Sequence, residues 1–258
     1  MSMKSKLFAG WVTVYFLVIS STASAGFITD LTEKFTGKER KIVVVLVDVS
    51  GSIKEEDWKI YQDTVNVLLS PAKSIKNGDR IILARIADQT VGNFLSVADE
   101  TIEETGIPSK DRKAIEVVAE RIRGKMVFLQ DRQKDKPAKW TNIMESLASA
   151  KQEIQRDKER SVVWIVMLSD MVEESKRYNF RKTHLNDEFL KGVLSTQKKE
   201  GWLPDLTGVR VYVAGAGGED VNARKFAEIE RFWRGYFKGT GASCAKGDFG
   251  RPAIRSFK

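Results

Sequence analysis

The chain has 258 residues, of which 42% are hydrophobic and 30% are charged, and it contains only five prolines. These proportions suffice for one well-packed domain, and they exclude a disordered chain, a collagen and a protein that crosses a membrane many times. The 43 lysines and arginines outnumber the 35 aspartates and glutamates, so the net charge is +8. That excess permits binding to nucleic acid, anionic lipid or an acidic protein without selecting among them.

Two residue types are so scarce that they exclude several kinds of site. With a single cysteine, Cys244, the sequence offers no internal disulfide, no four-thiolate zinc site and no iron–sulfur cluster. The single histidine, His184, excludes multi-histidine metal sites and leaves one candidate histidine for general-base catalysis. A metal bound by this chain should therefore have oxygen ligands, which favours Mg²⁺, Mn²⁺ or Ca²⁺ over zinc or copper.

The first 25 residues have the pattern of a signal peptide. Lys4 and Lys6 precede an apolar run from residue 7 to 19, and Ala23-Ser24-Ala25 forms an A-x-A cleavage site. An uncleaved membrane anchor is the alternative, although the run is shorter than the ~20 residues that span a bilayer. The sequence has neither paired cysteines nor an N-x-[ST] site, so we expect export to a bacterial periplasm, with secretion as the alternative. Residues 26–39 are predicted to be a linker.

The rest of the chain alternates strand and helix patterns. Four buried strands and one short edge strand are predicted, in chain order, at Lys41–Asp48, Asp79–Ile86, Phe94–Val97 (the edge strand), Ser161–Ser169 and Val209–Ala214. Apolar residues at helical spacing predict five helices, marked by Trp58, Tyr61, Val65 and Leu68, by Ile115, Val118 and Ile122, by Ile143, Leu147 and Ile154, by Leu190, Val193 and Leu194, and by Phe226, Ile229, Trp233 and Phe237. This alternation predicts an α/β fold with a doubly wound, mostly parallel sheet flanked by helices.

The predicted domain spans residues 40–240, followed by a C-terminal tail at 241–258. Residues 88–110 and 130–140 carry little periodic pattern. The charged segment from Glu173 to Thr183 is predicted to be a surface loop.

Side chains with oxygen atoms follow the predicted strands. Asp48, Ser50 and Ser52 leave the first strand at alternate positions, Asp170 follows the third buried strand, and Thr141 stands just before a helix. Ligands of open α/β sheets bind beyond the carboxyl ends of the strands. We therefore expect these five side chains to meet at one edge of the sheet.

In this order, the five residues resemble the metal-ion-dependent adhesion site of the von Willebrand factor A-type (vWA) domain. That site reads D-x-S-x-S, then a distant Thr and a distant Asp, and it is matched here by Asp48, Ser50, Ser52, Thr141 and Asp170. The resemblance extends over roughly residues 40–240. It implies a Rossmann-like vWA fold and a Mg²⁺ or Mn²⁺ ion held by these five residues, directly or through water, with one coordination position open.

The resemblance also implies what fills the open position, namely an Asp or Glu carboxylate from a partner protein. Mg²⁺ prefers six oxygen ligands, and three neutral hydroxyls with two carboxylates leave the ion electrophilic towards another carboxylate. We therefore expect an exported protein-binding module and not an enzyme. An anionic envelope surface is a second expected partner, and no nucleic acid is expected.

Each candidate ligand also has a purely structural interpretation. Ser52 with Glu55, and Asn142 with Glu145, have the spacing of helix capping boxes, and Asp is common at strand ends. The protein could then be a structural assembly module of the cell envelope with no functional metal.

The catalytic alternatives are weaker. Two carboxylates and a Mg²⁺ could in principle support phosphoester hydrolysis, although Ser50 stands where an aspartyl phosphohydrolase needs a second acid. A serine hydrolase would need G-x-S-x-G, and Asp48 stands two residues before Ser50. The glycines from Gly215 to Gly218 lack the third glycine of a dinucleotide-binding loop and are interpreted as a turn at the ligand-binding edge.

Overall fold

A computed structural model describes residues 39–70, 74–87, 94–157, 160–218 and 220–258. The predicted signal peptide and all of the predicted linker except Glu39 lie outside these ranges. Within the described ranges, no helix is both long enough and apolar enough to cross a membrane.

The centre of the fold is a five-stranded sheet with strand order β3-β2-β1-β4-β5. The strands are β1 (Lys41–Asp48), β2 (Arg80–Ile86), β3 (Ser96–Thr101), β4 (Val162–Leu168) and β5 (Val209–Ala214). Strands β2, β1, β4 and β5 are parallel, and β3 pairs antiparallel to β2 at the edge. The α/β fold class with a mostly parallel sheet is thus confirmed. The edge strand begins later than predicted and extends to Thr101.

Helices cover both faces of the sheet. They are α1 (Glu55–Leu68), α2 (Pro108–Asp135), α3 (Ile143–Arg156), α4 (Asp187–Lys199) and α5 (Ala223–Gly239), followed by a short 3-10 turn at Lys246–Asp248. Side chains of β1 alternate between the faces, so that Val43 packs with α1 and α2 and Val44 packs with α3, α4 and α5. Because both faces of β1 are buried, its sequence is an unbroken apolar run.

Helix α2 continues through much of the weakly patterned 130–140 segment and ends at Asp135. The reason is visible in its buried face, where Gln130 and Gln133 take positions that apolar residues would normally hold. Two buried glutamines break the hydrophobic period without breaking the helix.

Residues 241–258 pack against the sheet. The Phe257 ring stacks on that of Trp164, with ring centroids 5.8 Å apart, and lies edge-on to Tyr212. The Tyr212 hydroxyl donates a hydrogen bond to the Lys258 carbonyl at 2.7 Å, and Arg251 forms an ion pair with Asp57 of α1 at 3.1 Å. This segment therefore covers part of the face formed by β4 and β5.

Candidate metal centre

The strand order creates a crevice between the carboxyl ends of β1 and β4. From β1 the chain passes to β2 on one side, whereas β4 leads to β5 on the other side. Such a switch point leaves the loops after the two strands diverging, and ligands of doubly wound sheets bind there. Asp48 is the last residue of β1, and Asp170 lies two residues after β4.

Four of the five predicted ligands are joined by hydrogen bonds in this crevice. The Asp48 carboxylate accepts a bond from the Ser50 amide at 2.9 Å. The Ser50 and Ser52 hydroxyl oxygens lie 3.0 Å apart, and the Ser52 hydroxyl donates to Asp170 Oδ2 at 2.8 Å. The structure therefore brings two carboxylates and two hydroxyls from the two loops into one cluster.

Thr141, the fifth predicted ligand, is buried and anchored to the loop that carries Asp170. Its amide donates to the Glu174 carbonyl at 2.7 Å, and its carbonyl accepts from the Glu174 amide at 3.1 Å. Within the described part of the chain, no hydrogen bond joins the Thr141 hydroxyl to the other four side chains. This backbone bridge ties Thr141 to the segment that follows Asp170.

The two carboxyl groups repel each other in a buried setting. Burial, followed by the charge of Asp170, raises the pKa of Asp48 to about 7, and burial also raises the pKa of Asp170. Tyr61 is a third buried polar group nearby. Its hydroxyl has no hydrogen-bond partner among the described residues, and its pKa is raised by burial and by the charges of Asp48 and Asp170. A cation in the crevice would relieve this concentration of negative charge.

The donor set fits Mg²⁺ or Mn²⁺. At a metal–oxygen distance of ~2.1 Å, neighbouring oxygens of an octahedral shell lie about 3.0 Å apart. The separations from Ser50 to Ser52 and from Ser52 to Asp170, 3.0 and 2.8 Å, match that edge length. Among the described residues, no group of three or more His, Cys, Asp or Glu side chains could hold a metal ion. A metal held by Asp48 and Asp170 would therefore need oxygen ligands other than a third carboxylate, and the Ser50 and Ser52 hydroxyls are such oxygens.

The helix-capping interpretation of the same residues is wrong. Helix α1 begins after Lys54, whose amide donates to the Asp57 carboxylate, and the Ser52 hydroxyl bonds to Asp170 instead of the helix. At the start of α3, the Asn142 side chain makes no capping bond to the helix backbone. The Ser52 side chain is thus directed to the crevice.

Residues around the cluster hold the Asp170 loop in a strained shape. Ser169 donates to Asp48 Oδ2 and accepts from the Met171 amide, at 2.8 and 2.9 Å. Met171 has a φ of 62°, a left-handed conformation that is costly for a residue with a long side chain. The Gly217 amide donates to the Asp170 carbonyl at 2.9 Å, which places the glycine turn beside the site.

Gln133 of α2 fixes the loop that carries the two serines. Its buried side-chain amide donates to the carbonyls of Ser50 and Ile53, at 2.9 and 3.2 Å. Sequence reasoning missed this residue, because an isolated glutamine in a weakly patterned segment gives no signal of its partner.

We expect Gln133→Ala to weaken Mn²⁺ binding by about tenfold, because the loop carbonyls lose their shared donor and the hydroxyls lose their fixed positions. Gln130→Ala is the matched control. Gln130 lies one turn earlier on α2 and bonds Gln62 and Glu55 instead of the loop. Calorimetric titration of both variants checks the prediction, which fails if the two substitutions weaken binding equally.

The segment from Glu173 to Thr183 is a loop, but it is not only a surface loop as predicted. Glu173 and Phe180 are buried in it. The Glu173 carboxylate accepts bonds from the Ile143 and Met144 amides, at 2.8 and 3.1 Å, and so takes the place of a capping side chain at the start of α3. Burial of Glu173 could not be predicted, because the neighbouring residues in the sequence are mostly charged.

Arg181 is a cation close to the cluster. One of its terminal guanidinium nitrogens lies 3.9 Å from Asp170 Oδ2, and its Nε lies 3.8 Å from the Glu174 carboxylate. About a third of its side chain is exposed. Arg181 therefore contributes positive charge at the rim of the crevice.

Neither of the scarce residues contributes a reactive group to the crevice. His184 is 62% exposed, and its Nδ1 pairs with the Glu228 carboxylate of α5 at 3.0 Å. Cys244 is partly buried, and burial raises its pKa to about 11, so it is a neutral thiol at physiological pH. Within the described residues, no histidine or thiolate bonds to the predicted ligands.

Comparisons with known proteins give a similarity in fold. No family model matches the chain, and no curated protein matches it. Among solved structures, manganese-loaded TRAP protein from Plasmodium vivax is 16% identical, with a TM-score of 0.38, over 80% of this chain and 68% of that one. The pilus adhesin SpaC from Lactobacillus rhamnosus GG is 11% identical, with a TM-score of 0.45, over 81% of this chain and 28% of the adhesin.

The human COPII-coat protein Sec24c is also similar, at 10% identity and a TM-score of 0.32, over 74% of this chain and 28% of the coat protein. The chain therefore spans less than a third of two of these three structures.

Proposed function

We propose that the protein is an exported binding module of the vWA type that captures a partner's carboxylate through a bound Mg²⁺ or Mn²⁺ ion. The observation that carries the proposal is the convergence of Asp48, Ser50, Ser52 and Asp170 at the switch point of the sheet. Thr141 would be the fifth ligand, and its backbone bridge to Glu174 supports this role by tying it to the segment that follows Asp170. When bound, the ion supplies an electrophilic position for a carboxylate oxygen.

The residues around the cluster support binding in preference to catalysis. A hydrolase needs a general base or a second acid within hydrogen-bond reach of the reacting group. His184 is engaged with Glu228, and the two buried carboxylates are the proposed ligands themselves. What the rim does offer is Arg181, a cation that would attract an acidic group towards the ion.

Export is proposed from the first 25 residues, whose lysines, apolar run and A-x-A end are those of a signal peptide. A periplasmic site of action would bring the crevice into contact with envelope proteins. The net charge, +8 for the whole chain and about +6 once Lys4 and Lys6 are removed with the signal peptide, would favour acidic partners there and the anionic envelope surface.

The proposal is tested by capture from envelope extract with the immobilised protein in Mg²⁺, in EDTA, and in EDTA followed by excess Mn²⁺. We expect specific partners to be retained in Mg²⁺, released by EDTA and recovered with Mn²⁺. Ser50→Ala should lose them in every buffer, whereas Ser70→Ala, outside the crevice at the end of α1, should retain them. Partners that persist unchanged in EDTA and on Ser50→Ala would overturn metal-mediated capture.

A further inference from the structure

A second concavity lies at the carboxyl end of the sheet, on the face that α2 covers. Its volume is about 220 Å³, and it lies between the end of β2, the end of α2 and the segment that follows α2. Three cationic side chains line it, Arg85, Arg132 and Lys136. Val49, Leu95 and Leu129 supply apolar surface to the same lining. We call this cavity the cationic pocket.

Strand geometry places Arg85 in the pocket. Residues of β2 alternate between faces, and Ile81 and Leu83 pack on the face shared with α1 and α2. Arg85 is the next residue on that face, at a position where an apolar side chain would complete the core. It is only partly buried, because the cavity remains open beside it.

Helix geometry supplies the other two cations. Arg132 lies in the last turn of α2, and Lys136 is the residue that follows the helix. Because they are four residues apart, they lie on the same side of the helix. No ion pair is formed by either side chain within the described ranges. Lys134, between them in sequence, faces away and pairs with Glu55 at 3.3 Å. These two cations thus converge on the cavity without a carboxylate partner among the described residues.

The charge of the lining is correspondingly one-sided. None of the described residues that line the cavity is an aspartate or a glutamate. Cations concentrated in a concave site with partly apolar walls attract anions more strongly than the same cations spread over a convex surface. A guanidinium also binds phosphate or carboxylate oxygens in a bidentate manner, which adds geometric selection.

From these observations we infer that the cationic pocket binds a small organic anion through a phosphate or carboxylate group. The oxyanion would contact Arg132 and Lys136 beside Arg85, and the rest of the molecule would pack on Leu95, Leu129 and Val49. The volume is larger than an inorganic ion needs, so the organic part contributes to binding.

This site is separate from the candidate metal centre. Asp48 and Val49 are consecutive at the end of β1, so their side chains point to opposite faces of the sheet. Val49 packs with the α1 and α2 side, whereas the Asp48 carboxylate bonds to Ser169 at the β4 side. The pocket cations therefore lie apart from the proposed metal ligands, although Gln133 lines the pocket and also bonds to the Ser50 carbonyl.

The test is titration of the protein in EDTA with phenyl phosphate, benzoate and inorganic phosphate at constant ionic strength, followed by calorimetry and by amide chemical shifts. We expect saturable binding of phenyl phosphate or benzoate, at least fivefold tighter than binding of inorganic phosphate. Whichever of the two aromatic anions binds more tightly identifies the oxyanion group. Shifts should concentrate at residues 132–138 and at Val49.

Charge-matched variants separate the pocket from a general effect of net charge. Arg132→Gln and Lys136→Gln should each weaken binding at least fivefold, and Lys134→Gln, which removes the same charge from the same helix, should change it less than twofold. Asp48→Ala should leave anion binding unchanged. The inference is overturned if none of the three anions saturates, if Lys134→Gln has the same effect as the pocket variants, or if Asp48→Ala abolishes binding.

Discussion

Replacing Asp48 with asparagine should stabilise the metal-free protein and remove its response to Mg²⁺. In the absence of a cation, the buried Asp48 carboxyl has its pKa raised to about 7, by burial and by the charge of Asp170. At pH 8 its ionised form therefore opposes folding, and a neutral isostere removes that cost, on the order of 1–3 kcal/mol. The asparagine loses a charged ligand, so Mg²⁺ should no longer stabilise the fold.

Both parts of this prediction are checked by thermal unfolding at pH 8, first in EDTA and then at Mg²⁺ concentrations raised in tenfold steps. Wild-type protein should gain in Tm with Mg²⁺, because an ion that binds only the folded state stabilises it by mass action. Asp63→Asn, an exposed substitution on α1, is the control and should behave as wild type. A variant at Asp48 that is less stable in EDTA, or that keeps its response to Mg²⁺, would contradict the account of the site.

Glu173→Gln should change how stability depends on pH. Burial raises the pKa of Glu173 to about 8, above the 4.5 of an ordinary glutamate. Between these values the folded protein retains a proton that the unfolded chain has lost. Stability therefore falls as pH rises through this window, by up to ~1.4 kcal/mol per pH unit from this one group. The glutamine oxygen can still accept from the Ile143 and Met144 amides, but it does not titrate.

Urea unfolding in EDTA at pH 5.5, 6.5 and 7.5 measures this effect. Between the lowest and the highest pH, the free energy of unfolding of the variant should rise by about 2 kcal/mol relative to that of the wild type. Glu188→Gln, at an exposed position in the first turn of α4, should show no such gain. Parallel curves for wild type and Glu173→Gln would show that Glu173 is ionised in the folded protein over the whole range.

The sheet could be predicted because its central strands are buried on both faces. Runs such as Lys41–Asp48 and Val209–Ala214 are continuous and β-branched, so each signals a strand without help from its neighbours. The edge strand β3 has no such run, because only one of its sides pairs and its burial is partial. Its start was therefore misplaced. The extent of α2 was hidden for a different reason, the two glutamines on its buried face.

The residues of the candidate site that could be predicted are those in a short motif or directly after a buried strand. Asp48, Ser50 and Ser52 stand together in sequence, and Asp170 follows a strong strand, so strand order was enough to bring them together. Gln133 could not be found in this way, because it lies on a helix and not beyond the end of a buried strand, so strand order says nothing about its contacts with the Ser50 and Ile53 carbonyls.

Glu173 was also missed, since it lies in a charged loop whose sequence gives no sign of burial. Acidic and basic residues alternate there as they would on a solvated surface. The contact of Glu173 with the start of α3 and the approach of Arg181 to Asp170 are products of tertiary packing.

Calorimetric titration of Mg²⁺ and Mn²⁺ into the protein without its predicted signal peptide, beside the Asp48→Ala variant, tests the central claim most directly. The account predicts saturable binding of one ion per chain to the wild type, and loss of at least 100-fold in affinity in the variant, since one of two charged ligands is removed. Saturable binding of equal affinity in both proteins would place the ion elsewhere. Absence of saturable binding in the wild type would contradict a metal site at Asp48, Ser50, Ser52, Thr141 and Asp170.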